Sequence, residues 1–104
     1  MRRGEVWWAR LPPPAGRRPI LLLSRDAAYD IRTSITVAPV SRTIRDIPVE
    51  VVLDKSDGMP VRCVASLDDV TTIPKSMLDR RITMLSRAQM DRVAEAIRFA
   101  LDLP

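Results

Sequence analysis

The sequence predicts a mainly β protein: a small curled antiparallel sheet or barrel with one helix packed on it. Three observations carry that expectation. Short β-branched and aliphatic runs recur along the first 85 positions, separated by polar, Pro- or Gly-containing turns. The only long stretch with helical periodicity is the last, from Ser86 onward. The repeated strand–helix alternation of a doubly wound parallel sheet is missing. A chain of 104 residues makes one domain, 1–104. Apolar residues are 46% of it and aromatics 4%, so the core must be aliphatic.

The elements follow in order. "GEVWWARL" at 4–11 reads as the first strand, with the adjacent Trp7 and Trp8 on opposite faces. Both are expected in core and subunit packing rather than as base-stacking platforms. "PPPAG" at 12–16 is a stiff turn ending in a permissive glycine. "PILLLS" at 19–24 has little polar alternation and reads as a strand buried on both faces. "RDAAYDIRT" at 25–33 is a polar excursion with room for one helical turn, and "SITVAPVS" at 34–41 is β-rich. "RTIRDI" connects, "PVEVVL" at 48–53 alternates, and "DKSDGMP" at 54–60 turns. "VRCVASLDDV" at 61–70 is the next strand, "PKSML" offers a helical turn, and "RRITML" at 80–85 is the last strand.

Ser86 can cap the terminal helix, and Gln89 three residues on would complete a capping box. Met90, Val93, Ala94, Ile97 and Leu101 form its apolar stripe. Phe99 lies almost opposite that stripe, which suits either partial burial under a loop or a subunit contact.

Composition excludes several chemistries. There is no histidine, which removes Ser-His-Asp triads, His-pair RNA hydrolysis and His-ligated zinc. The single Cys63 excludes an internal disulfide and a Cys-rich zinc site, and is expected as core filler. Asp68 and Asp69 are adjacent, so on a strand they diverge and make a poor paired-carboxylate metal site. No glycine-rich phosphate loop is present. The longest aliphatic run, Ile20 to Leu23, is too short to span a bilayer, and the start lacks a signal-peptide-like stretch, so a cytoplasmic protein with no membrane partner is expected.

A net charge of +4 and a pI near 10.2 point to an anionic partner such as nucleic acid. Nearly all the cations are arginines, the better fork for phosphate, although a GC-rich genome produces the same bias. What remains available is arginine-plus-hydroxyl chemistry. RNA can be cleaved by its own 2′-OH if an arginine stabilises the phosphorane and a Ser or Thr hydroxyl orients a phosphate oxygen. Charges at strand ends are also common as plain solvated groups, so Arg17 and Arg18 alone do not decide the matter.

The segments "MRRGEVWWARL", "GRRPILLLSRD", "ITVAPVSRTIR", "PVEVVL" and "RRITMLSRAQMDRVAEAIRFALDL", in this order and spacing, resemble the MazF/PemK family of toxin endoribonucleases over nearly the whole chain. The resemblance implies an SH3-like antiparallel β-barrel with a C-terminal amphipathic helix, assembled as a homodimer. It implies a metal-independent, cofactor-free, sequence-specific endoribonuclease that cleaves single-stranded RNA to a 2′,3′-cyclic phosphate and a 5′-OH, inhibiting translation and growth. A cognate antitoxin with an acidic segment would neutralise it. The family's catalytic arginine before proline matches Arg18, and its hydroxyl residue matches Ser41. An acidic position near the RNA groove matches Asp68, and Asp69 stands where many relatives carry Gln. A second arginine proposed to act in one branch is replaced here by Ser66.

Arg17, Arg25, Arg42, Thr43 and Arg45, near strand ends, together with Asp68 and Asp69 from the resemblance, are the candidate RNA contacts. The 12–17 loop is shorter than in many relatives, which implies that gating of the groove is weaker or is done by another segment. Two alternatives stay open at this stage: a non-catalytic toxin on the same barrel that binds a protein such as gyrase, and a nucleic-acid-binding regulator.

Overall fold

The computed structural model describes residues 1–104. Seven strands and two helices follow one another: β1 (Glu5–Arg10), β2 (Arg17–Leu22), α1 (Ala28–Ile31), β3 (Ser34–Ser41), β4 (Glu50–Leu53), β5 (Cys63–Ser66), β6 (Thr71–Pro74), β7 (Leu78–Met84) and α2 (Arg87–Leu101). All pairings are antiparallel. The sheet runs β4-β5-β3-β2-β1-β7, with β6 pairing β3 off that path. The result is the expected mainly β fold: a curled half-barrel carrying one long C-terminal helix. The two ends of the path meet through a side chain rather than a ladder, where the Thr83 hydroxyl of β7 donates to the Asp57 carbonyl at 2.8 Å. No helix is long and apolar enough to cross a membrane.

The aliphatic run of β2 separates two cores by strand alternation. Leu21 and Leu23 face a larger cluster with Val6, Val40, Leu53, Leu67 and, from α2, Val93 and Ala96. Ile20 and Leu22 face a smaller one with Ala9, Tyr29, Ile35, Val37 and Ile73. Burial on both faces is what the missing polar alternation predicted.

Several boundaries differ from the sequence expectation. β2 begins at Arg17, not after the arginines, because Arg17 and Arg18 already pair with Arg10 and Ala9 across the hairpin. The 61–70 run is not continuous. β5 and β6 follow one another antiparallel along β3, and the five residues 66–70 oppose only two, 38–39. The excess is taken up by a 3₁₀ turn at Leu67–Asp69. Leu67 anchors that turn in the core, and Asp68 and Asp69 stay exposed on it.

The α2 start also differs in detail. Ser86 Oγ accepts the Gln89 backbone N–H at 3.2 Å, as a cap should. The Gln89 side chain does not close a capping box. It is buried, and its Nε2 donates to Val52 O at 3.2 Å and to Asp57 Oδ1 at 3.1 Å, tying the helix to β4 and to the following turn. Gln89→Ala should therefore cost about 1–3 kcal/mol in urea unfolding, because two partly buried acceptors lose their donor. A change within about 0.5 kcal/mol, as at a surface position, would contradict that role. At the far end of α2, Leu101 leaves the stripe and is exposed, and Phe99 is 64% exposed with no loop over it.

Candidate nucleic-acid interface

A groove of about 950 Å³ opens at the end of the sheet where three segments converge. The β1–β2 hairpin supplies Trp8, Leu11, Ala15, Arg17, Arg18 and Pro19. The end of β3 supplies Pro39 to Ser41, and Arg42 and Thr43 follow. Met59, Pro60, Val61, Cys63 and Ile82 complete the wall.

The ladder between β2 and β3 pairs Ile20 with Pro39 and Leu21 with Ala38. Continued by two residues, the same register sets Arg18 opposite Ser41, on the face that carries Ile20 and Pro39. Pro19 holds the Arg18 backbone extended. The Arg18 Nε donates to Ala15 O at 2.8 Å, which fixes the stem. No carboxylate pairs with its guanidinium, so both terminal nitrogens remain free in an exposed position. The Ser41 oxygen accepts the Thr43 N–H at 3.1 Å, which orients the hydroxyl and leaves its proton to donate.

Arg17 is held quite differently. Its Nε donates to Asp79 Oδ2 at 2.9 Å, and its guanidinium lies 4.4 Å from the centroid of the Trp8 ring. Arg10 Nε approaches the same Asp79 oxygen at 3.4 Å. The hydrogen bond from Arg17 foremost, with Arg10 adding, holds the Asp79 carboxyl below the usual carboxylate range. Because that pKa is depressed, the pairing is fully present above the ordinary carboxylate value and is lost as pH falls through the lowered one.

Thus Arg17, Arg18, Ser41, Arg42 and Thr43 come together in one groove. Arg25, Arg45, Asp68 and Asp69 do not line it. Arg25 is exposed just before α1. Arg45 Nη1 sits 3.7 Å from Glu50 Oε2, and the Arg45 and Asp46 backbone N–H groups donate to Glu50 Oε1, so the 42–47 connection is pinned to β4. Asp69 accepts the Ser66 hydroxyl at 3.0 Å.

Sequence reasoning missed Asp79 and placed Trp8 in packing. Asp79 has no local signal, since its role exists only once β7 pairs with β1. Trp8 shares a face with Pro19 and Arg17, visible only when the hairpin register is known. Cys63 is a buried wall residue whose thiol is pushed up chiefly by burial, with Asp57 and Asp54 adding, so it stays protonated and unreactive at neutral pH.

Residues 2–101 match the family described as PemK-like, MazF-like toxin of type II toxin-antitoxin system. The chain belongs to that family. It is 40% identical over 101 residues to the probable endoribonuclease MazF5 of Mycobacterium tuberculosis (strain ATCC 25618 / H37Rv), covering 96% of this chain and 92% of the relative. It is 32% identical over 111 residues to the endoribonuclease EndoA of Bacillus subtilis (strain 168), covering 99% and 96%. Among solved structures, the Mycobacterium tuberculosis toxin MazF-mt6 superposes with a TM-score of 0.89 at 36% identity, over 96% of this chain and 98% of that one. A mycobacterial endoribonuclease in complex with its cognate antitoxin gives 0.87 at 25% identity, over 100% and 97%. These matches agree with the PemK/MazF fold expected from the sequence.

Proposed function

We propose that this PemK/MazF-family protein is an endoribonuclease toxin that cleaves single-stranded RNA in the groove between the β1–β2 hairpin and the end of β3. The observation that carries this reading is a stem-anchored Arg18 with no acidic partner that lines the same groove as Ser41. The substrate's 2′-OH attacks the adjacent phosphorus, the P–O5′ bond breaks, and a 2′,3′-cyclic phosphate and a 5′-OH result. The Arg18 fork donates to the non-bridging oxygens as charge builds on the phosphorane. The Ser41 hydroxyl donates to one of them and fixes the phosphate in line with the attacking oxygen. Arg42 and Thr43 on the rim hold flanking backbone.

The mechanism calls for no metal. The endoribonuclease names of the relatives favour this reading over a non-catalytic binder or a regulator. The antitoxin complex of the mycobacterial neighbour supports a cognate antitoxin as partner. Purified protein should cut a long single-stranded RNA in EDTA and leave cyclic-phosphate ends, while Arg18→Ala leaves the RNA intact. Cleavage that required Mg²⁺, or none by the wild type, would sink the proposal.

A further inference from the structure

We infer that Arg17, Trp8 and Asp79 form a stacking platform for one unpaired nucleobase of the bound RNA, with Asp79 as the positioning residue; this rests on the RNA reading above. The sequence suggested a different part for Arg17, a phosphate contact like Arg18. The geometry separates the two arginines. Arg18 has no acidic partner and presents both terminal nitrogens. Arg17 has its Nε on Asp79 and one face of its guanidinium over the Trp8 indole. A phosphate approaching Arg17 would find its Nε already held by Asp79 and, although the terminal nitrogens carry no bond, would be repelled by the carboxylate charge beside them. A neutral base meets neither obstacle. It needs only a flat, immobile, polarisable surface, and a guanidinium clamped between an indole and a carboxylate is one.

Trp8 covers part of the Arg17 guanidinium and the side chain is still 46% exposed, so surface remains for a base to reach. Arg17 also lines the groove that holds Arg18 and Ser41, so a strand bound in that groove lies beside it. Asp79 reaches Arg17 from β7 and is shared with Arg10, so it restricts the guanidinium to one plane before any ligand arrives. That preorganisation reduces the ordering cost of binding. The platform reads the presence of a base, not its hydrogen-bonding edge, because every base has a π-face.

The test uses the site mapped in a long RNA. A short oligonucleotide spanning it, with a single 2′-deoxy sugar at the attacked nucleotide, binds without being cut. A series of the same oligonucleotide then lacks one base at a time. For the wild type, one abasic position should lower affinity by about tenfold or more, the usual weight of a base stacked on an aromatic surface. Arg17→Ala should bind the intact oligonucleotide about that much more weakly and be indifferent to the same abasic position. Asp79→Asn should follow Arg17→Ala at that position alone, and Arg17→Lys, which keeps the charge and loses the plane, should follow Arg17→Ala too. The slope of log affinity against log salt should be unchanged in Arg17→Ala.

A uniform loss for every oligonucleotide, with a slope shallower by about 0.7, would make Arg17 a phosphate contact and overturn the platform. Rescue by Arg17→Lys would overturn it as well. A wild type that neither binds nor cuts RNA would remove the RNA reading and the platform with it. A wild type that cuts RNA while Arg17→Ala keeps the same abasic pattern removes the platform only.

Discussion

Arg18→Ala is expected to lower the single-turnover rate of RNA cleavage by about 10²–10³-fold, the usual cost of removing a donor aimed at transition-state charge, with a far smaller loss in RNA affinity. The asymmetry is the informative part. In the ground state a phosphodiester carries one charge, and Arg42 on the groove rim shares in neutralising the backbone. In the phosphorane of the proposed mechanism a second charge would develop beside Arg18, whose terminal nitrogens carry no competing ion pair. An interaction that strengthens between these states acts on turnover. Arg18→Lys should recover only part of the rate, because a point charge cannot donate as a fork to two oxygens. Single-turnover cleavage and binding of the 2′-deoxy oligonucleotide measure the two quantities separately. Equal losses in both would make Arg18 a binding residue.

The legible part of this protein follows from local periodicity and from short motifs. Two-faced burial of β2 is written in Ile20 to Leu23, since an aliphatic run without alternation has to be covered on both sides. The α2 start is written in Ser86. The Arg-Pro step at Arg18 and the strand end at Ser41 are local features too, and the pairing of β2 with β3 brings them to one groove. What escaped is the part that depends on partners distant in sequence.

Gln89 satisfies the capping-box pattern, yet its buried amide turns to Val52 and Asp57, where both of its N–H donors find acceptors. The break at Leu67–Asp69 comes from the tertiary demand that one segment follow β3 and also insert Leu67 in the core. Asp79 lies 62 positions from Arg17, and no spacing rule connects them. The difference in ion pairing between Arg17 and Arg18 is therefore invisible in the sequence, although the two residues are neighbours.

Gly58→Ala is expected to be the most damaging single substitution outside the cores, and it tests how the half-barrel is held closed. Gly58 ends the 3₁₀ turn after β4 in the left-handed region, at φ +88°. An alanine there pays about 1–2 kcal/mol in backbone strain alone. Its Cβ would also overlap Thr83 Oγ1 and sit 2.9 Å from Thr83 Cβ. Thr83 cannot swing aside freely, since its hydroxyl donates to the carbonyl of Asp57, the residue before. Overpacking of this kind adds about 1–3 kcal/mol, so about 2–5 kcal/mol in all is expected in urea unfolding.

The two contributions can be separated. Thr83→Ala removes the overlapping oxygen, so adding it to Gly58→Ala should return part of the overlap cost and none of the backbone cost, a non-additivity that neighbouring sites show. Met59, Pro60 and Val61 hang from this turn and form one wall of the groove. Pushing the turn away from β7 therefore displaces that wall relative to Arg18 and Ser41. Folded Gly58→Ala protein should cleave RNA more slowly even at temperatures where it remains native. Wild-type stability together with a wild-type cleavage rate would mean that the contact between this turn and β7 neither closes the sheet nor shapes the groove.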